Sequence, residues 1–265
     1  MQNILITLLS GIDAHLPEPH ASLLKGITYG VPITLDPSFK QLIVRTGLAH
    51  LIVLSGTNIT LLTELTGSFC NRFGKRKGIF INFLILILFI YIVGFQAPLM
   101  RAVCMFVCAS ICTLTGRPIY GWWNLFLTIL IAAIIKPEWT TSLSFQLSVA
   151  ATIGIFVWDY IRKRIKLPKN EFLQLLCESW VVLFCTTPLT WFVFKSFSSV
   201  GPLATALVSG LIVPLMIGGF AISLTHLVFP PLSQLVAVPI FALLNFLIFI
   251  MNTVSRIPIG YFKWN

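Results

Sequence analysis

Long apolar runs separated by short polar ones fill most of the chain. Ile79 to Phe95, Pro98 to Thr115, Trp122 to Ile135, Leu143 to Trp158, Cys177 to Phe194, Leu203 to Phe229 and Leu232 to Val254 each approach or exceed the roughly 20 residues with which a helix crosses a hydrocarbon core about 30 Å thick. His50 to Thr66 would make a straight helix about 25 Å long, slightly short of that thickness, and polar residues interrupt it, so a partly re-entrant crossing is expected. Within the run from Leu203, the residues Gly210, Pro214, Gly218 and Gly219 predict a discontinuous helix whose freed backbone groups line a cavity. The pattern before residue 48 differs. Pro17, Pro19, Pro32 and Pro37 are mixed with apolar residues at helical spacing, first Leu23, Leu24 and Ile27, then Phe39, Leu42 and Ile43, which predicts short amphipathic helices lying at the interface. The expected architecture is an all-α polytopic integral membrane protein of about eight spans with discontinuous helices. Residues 1–47 form its amphipathic interfacial region and residues 48–265 its transmembrane domain.

Composition agrees with that architecture. The chain is 57% hydrophobic and 10% charged, against about 25% charged residues in an average soluble domain, and this excludes a soluble enzyme or binding module. A net charge of +10 would suggest a nucleic-acid partner in a soluble domain. Here the loops give a simpler cause. Arg72, Lys75, Arg76, Lys77, Arg117, Arg162, Lys163, Arg164, Lys166 and Lys169 fall in alternate loops, and the opposite loops between spans hold only Lys136 and Lys195. Lys and Arg accumulate on the cytoplasmic side, so the N-terminal region and the C-terminal tail are expected outside, although Arg256 and Lys263 in that tail run against the bias. Trp122, Trp123, Trp139, Trp158 and Trp180 stand near span ends, as interfacial anchors do. Met1 to Leu9 lacks a basic n-region, so no cleaved signal is expected.

The stretch Arg45 to Leu65 carries the chemistry least suited to lipid: His50, Ser55, Gly56, Asn58 and Glu64. Polar side chains in hydrocarbon usually face a bundle interior or a water-filled cavity and are functional candidates by default. A helix break at Ser55-Gly56 would aim backbone N–H groups at an anion such as phosphate. Arg101, shortly after Pro98, either snorkels to the boundary or faces a cavity. Gln146 and Ser148 are uncharged hydrogen-bonding residues inside a span. Cys104, Cys108 and Cys112 share one helix face, a stripe better suited to helix packing than to a metal. The acids are scattered, and no H-E-x-x-H or phosphate-loop motif is present. The sharpest enzymatic alternative is a serine hydrolase using Ser55 with His226.

Thr46-Gly47-Leu48-Ala49-His50-Leu51-Ile52-Val53-Leu54-Ser55-Gly56-Thr57-Asn58 resembles the hallmark of the competence DNA-uptake channel family, ComEC type. Leu16-Pro17-Glu18-Pro19 with Leu23-Leu24-Lys25-Gly26 resembles that family's approach to the hallmark, and three further segments follow in the family's order. These are Gly94 to Arg101 with Ala102, Thr115-Gly116-Arg117-Pro118 followed by Asn124, and Pro137 followed by Leu143-Ser144-Phe145-Gln146-Leu147-Ser148. Asn58 stands where the family commonly has a second histidine, and Lys136 where an aspartate is common. The resemblance implies an inner-membrane channel that imports single-stranded DNA during natural transformation, without a cofactor or catalytic metal. It implies membrane lipid, an external motor or helicase and DNA receptor proteins as partners, and leaves a homo-oligomeric pore open. His50, Ser55, Gly56, Asn58, Arg101, Gln146 and Ser148 are the implied lining of the DNA path. The family's accompanying OB-like and metallo-β-lactamase-like domains are not found in this chain, so nuclease activity is not expected. A secondary transporter for a small anionic solute is the non-enzymatic alternative.

Overall fold

The structure, a computed structural model, describes residues 2–31, 37–48, 63, 66–67, 70, 72, 74–94, 97–118, 120–165, 170–194, 196–257 and 261–263. In chain order its elements are α1 (Gln2–Asp13), α2 (His20–Tyr29), α3 (Pro37–Arg45), α4 (Lys75–Val93), α5 (Ala97–Thr115), α6 (Gly121–Ile135), α7 (Pro137–Thr141), α8 (Leu143–Arg164), α9 (Glu171–Phe194), β1 (Ser196–Ser198), α10 (Gly201–Val228), α11 (Pro230–Ser255) and β2 (Tyr261–Lys263). Apolar helices dominate, as in an all-α membrane protein. Among the described residues four helices are long and apolar enough to cross a membrane, over Lys75–Val93, Glu171–Phe192, Gly201–Val228 and Pro230–Ser255. The apolar parts of α5 and α6 are shorter, and α8 ends in Asp159, Arg162, Lys163 and Arg164. Length and apolarity among the described residues therefore support four spans, and the expected eight do not follow from them.

Contacts divide the chain into two compact units, Met1–Asn58 with Lys195–Asn265, and Ile59–Phe194. This division is not the one the apolar pattern draws at residue 47. In the first unit α10 and α11 form an antiparallel hairpin turned at Phe229, and Pro230 opens α11 at a position where a missing N–H loses no helical bond. β1 pairs antiparallel with β2, Ser196 opposite Lys263, so the segments before α10 and after α11 meet. The N-terminal helices pack on this hairpin. His15 Nε2 lies 3.3 Å from His226 Nδ1 in the last turn of α10, and Ser198 Oγ donates to Arg45 O at 2.7 Å just before the first turn. The chain from His15 to Arg45 thus runs the length of α10, about 40 Å at 1.5 Å per residue.

Two expectations are corrected here. The first concerns α2, which has no exposed polar face opposite its apolar one: Ala21, Leu23, Leu24 and Ile27 are buried together with Ser22, Gly26, Thr28 and Tyr29. Apart from His20 and Lys25 its sequence is small or apolar all round, and such a helix is buried rather than floated. It ends at Gly30, whose φ of 68° is left-handed and whose N–H bonds Gly26 O at 3.0 Å. Amphipathic exposure belongs to α3, where only Ile43 is buried. The second correction concerns α10, which runs unbroken through Gly210, Pro214 and Gly218. Its glycines serve close packing: a Cβ at Gly218 would collide with Ile240, and one at Gly219 with Thr28. Small residues let helix backbones approach in lipid. Trp158 is buried.

At the α1–α2 turn Lys25 Nζ pairs with Asp13 Oδ1 at 2.6 Å and lies 3.9 Å from Glu18 Oε1. Ser233 Oγ also touches His15 Nε2. Burial, and secondly the neighbouring His226, push the His15 imidazole below its ordinary value of 6.5. The fold therefore favours the neutral ring. Its contribution is whole above that ordinary value and is lost as pH falls through the lowered folded value, because the unfolded chain binds the proton more readily. Thermal unfolding in detergent should show a midpoint that falls as pH is lowered below the ordinary histidine value of 6.5. His15→Gln should shrink that fall; an equal fall in the variant would remove His15 from the account.

The second unit holds α4 to α9. Gly154 lies so close to Val182 that a Cβ there would be 2.9 Å from the Val182 Cα, which lets α8 and α9 pack along their length. The far side of α9 exposes Phe184, Trp191 and Phe192, as a lipid-facing helix does. Asn82 in α4 is buried, accepts from Thr66 Oγ1 at 2.7 Å and donates to Thr63 O at 2.8 Å. The end of the stretch His50 to Thr66 is thereby fastened to α4.

Candidate functional site

The polar residues inside the second unit are grouped by helical spacing. Ser148 and Thr152 are four apart on α8, Asn124 and Thr128 four apart on α6, and side chains at that spacing share a face. Ser142 caps α8, its hydroxyl accepting from the Phe145 N–H at 3.4 Å, and this sets Ser148 in the second turn. Arg101 lies one turn into α5.

Arg101 is 6% exposed. Its Nε donates to Ser148 Oγ at 2.7 Å and its Nη1 to Thr152 Oγ1 at 2.9 Å, with Met105 Sδ 3.1 Å from Nη1. Thr152 directs its own hydroxyl hydrogen to Ser148 O at 2.9 Å, leaving a lone pair for the guanidinium. Behind this group Asn124 Nδ2 donates to Met105 O at 3.0 Å and Thr128 Oγ1 to Asn124 O at 2.8 Å. Asn124 Oδ1 is buried with no hydrogen-bond partner among the described residues. The void beside Arg101, lined also by Cys104, Thr128 and Trp139, measures about 10 Å³, room for about one water.

Arg101 therefore does not snorkel; it turns inward. None of the ion pairs among the described residues involves it. The guanidinium also sits near the end of α5 where unbonded N–H groups amount to roughly half a positive charge. Cation and helix terminus add, and among the described residues two hydroxyls and a thioether answer them. Such a site favours an anion with several oxygens, and phosphate fits the fork of the guanidinium.

Of the residues singled out in the sequence, the structure brings Arg101 and Ser148 together. Gln146 is elsewhere, its Nε2 donating to Thr140 O at 3.3 Å, where it fastens the α7–α8 turn. Gly210, Pro214 and Gly218 belong to the helix packing of the first unit. His50, Ser55, Gly56 and Asn58 lie outside the described residues, and so does Ser55 as a hydrolytic partner for His226, which faces His15. Sequence reasoning passes over Thr152 and Thr128 and names Asn124 only as the start of a helix, although the two spacings of four were there to be read.

The model of the family described as "Competence protein" matches residues 27–265. No curated protein and no solved structure matches the chain. The matched range takes in the hallmark stretch, the arginine of α5 and the polar face of α8 alike. The chain belongs to the competence protein family, and its role lies in DNA uptake.

Proposed function

We propose that this chain is the membrane core of a conduit through which single-stranded DNA crosses the cytoplasmic membrane. The observation that carries the reading is Arg101, a buried cation of a competence protein whose hydrogen bonds go to the hydroxyls of Ser148 and Thr152. A passing strand offers a phosphate at every nucleotide. Charge-assisted bonds to phosphate are roughly twice as strong as neutral ones, so phosphate displaces the two hydroxyls. The hydroxyls then reclaim the guanidinium and release the strand, which meets the requirement that a pore bind weakly enough to let its cargo leave. A void of about 10 Å³ admits no nucleotide, so in this scheme the strand enters only as α5 and α8 part. Recognition through phosphate leaves transport indifferent to base sequence.

The remaining parts of the proposal follow the sequence. The chain crosses about eight times, once through residues 48–66 and then through α4, α5, α6, α8, α9, α10 and α11. Loops bearing Lys77 and Lys169 face the cytoplasm. Reporters fused after Lys77 and after Lys169 should be cytoplasmic and one after Lys263 extracytoplasmic; a cytoplasmic reporter after Lys263 would refute the count. The conduit does no covalent chemistry, and an external motor and DNA receptor proteins supply drive and delivery. His50, Ser55 and Asn58 line the path. His50→Leu, Ser55→Leu and Asn58→Leu should each lower DNA entry at unchanged protein level, and cysteines at 50, 55 and 58 should react with a membrane-impermeant thiol reagent. Full entry with no labelling would make this stretch ordinary packing.

The deciding experiment follows labelled DNA in a strain lacking the chain, with DNA bound at the surface and DNA inside the cell scored separately. Surface binding retained and entry lost is the expected result. Normal DNA entry with lost accumulation of a small anion would make the chain an anion transporter instead.

A further inference from the structure

The first turn of α4 holds Lys75, Arg76 and Lys77, and no ion pair among the described residues involves them. They stand at the positive end of the helix dipole, which adds to their charge rather than offsetting it. Directly below, Ile79, Phe80 and Phe83 of α4 and Leu114 of α5 join Arg76 in lining an open groove of about 420 Å³. The groove exists because α4 and α5 meet sparsely here, leaving Phe80 and Leu114 exposed. From Arg76 to Phe83 the helix rises about 10 Å, the distance from headgroup level into the acyl region. Cations at the head and an apolar floor beneath them are the two ends of a lipid.

We propose that this groove seats an anionic phospholipid, its phosphate held by Arg76 with Lys75 and Lys77 and one acyl chain lying over Phe80 and Phe83 against Leu114. Charge complementarity selects the occupant. A zwitterionic lipid brings its own cation to a place already crowded with three. A nucleic-acid strand would lay its phosphates along a floor where Arg76 is the sole polar lining residue, and phosphates need water or donors. The site is independent of the conduit, so failure of either reading leaves the other standing.

The test uses the purified full chain in detergent with equal amounts of phosphatidylglycerol and phosphatidylcholine, the retained lipids being counted by native mass spectrometry. Wild type should retain phosphatidylglycerol at least about tenfold over phosphatidylcholine. Arg76→Gln should lower that preference about fivefold, the effect of one cation near an anionic headgroup, and glutamine at all three positions should abolish it. Phe80→Ala, at an exposed position, should lower retention of both lipids and leave their ratio alone. Equal retention by wild type would overturn the proposal without recourse to any variant. So would competition by water-soluble glycerol phosphate as effective as that of the intact lipid, or displacement of the lipid by a single-stranded oligonucleotide.

Discussion

Arg101→Gln is expected to insert and accumulate normally and to lower DNA entry by about 10- to 100-fold. The magnitude follows from losing a charged donor to phosphate, worth about 1.5–3 kcal/mol, where each 1.4 kcal/mol is about tenfold. Stability should move the other way. Arg101 is buried, and its partners among the described residues are neutral; replacing a buried charge without a countercharge is often neutral or stabilising. Arg101→Lys should restore part of the entry, since an ammonium keeps the charge and loses the planar fork. Ser148→Ala combined with Thr152→Ala should instead destabilise, because the guanidinium keeps its charge and loses its acceptors. The measurements are DNA entry per inserted protein and the midpoint of thermal unfolding in detergent. Wild-type entry in the Gln variant would remove Arg101 from the path; loss of insertion in that variant would make the residue a structural one.

The largest expected loss of stability comes from the glycines of α10. Gly218→Ala and Gly219→Ala should each lower the unfolding midpoint, although each adds only one methyl group. The obstacle at Gly219 is Thr28, a β-branched residue whose Cβ and Cγ2 both lie 3.1 Å from the added atom, and a stiff side chain tied closely to its backbone yields little. At Gly218 the obstacle is Ile240, likewise β-branched, whose Cγ1 would lie 2.5 Å from the added atom with Cδ1 closer still. Overpacking of this kind costs about 1–3 kcal/mol, and both glycines belong at the upper end. Ile240→Ala should relieve the clash of Gly218→Ala and leave that of Gly219→Ala unchanged. Gly210→Ala is the control: nothing lies within 4 Å of its position, and alanine there should stabilise by about 0.5–1 kcal/mol. Equal gains at all three glycines would mean that helix propensity, not contact, governs them.

These glycines also show where sequence stops being informative. A glycine and proline run within an apolar helix reads equally as a break or as a packing face, and what decides it is Thr28 and Ile240, residues distant in the chain. The helices of residues 75–255 were legible because apolar runs end where charges and turns begin, as Val93 does before Gly94 and Ile135 before Lys136. Arg101 and Ser148 were legible as polar residues needing partners in lipid. Their being partners of each other was not, since nothing in either helix specifies which faces meet. The burial of α2 was hidden by its length. Over 10 residues an all-round apolar helix and an amphipathic one give nearly the same spacing, and the hairpin that covers it is made much later in the chain.

That delay has a consequence for biogenesis. His15 and His226 are 211 residues apart, so at a synthesis rate of about 5–20 residues per second the helices α1 to α3 wait about 10 to 40 s for the hairpin that covers them. During that interval the residues of the second unit emerge and gain partners among themselves. The first unit closes only afterwards, and the nascent helices α1 to α3, with Lys25 and its acids, need the translocation machinery or the lipid boundary as a temporary companion.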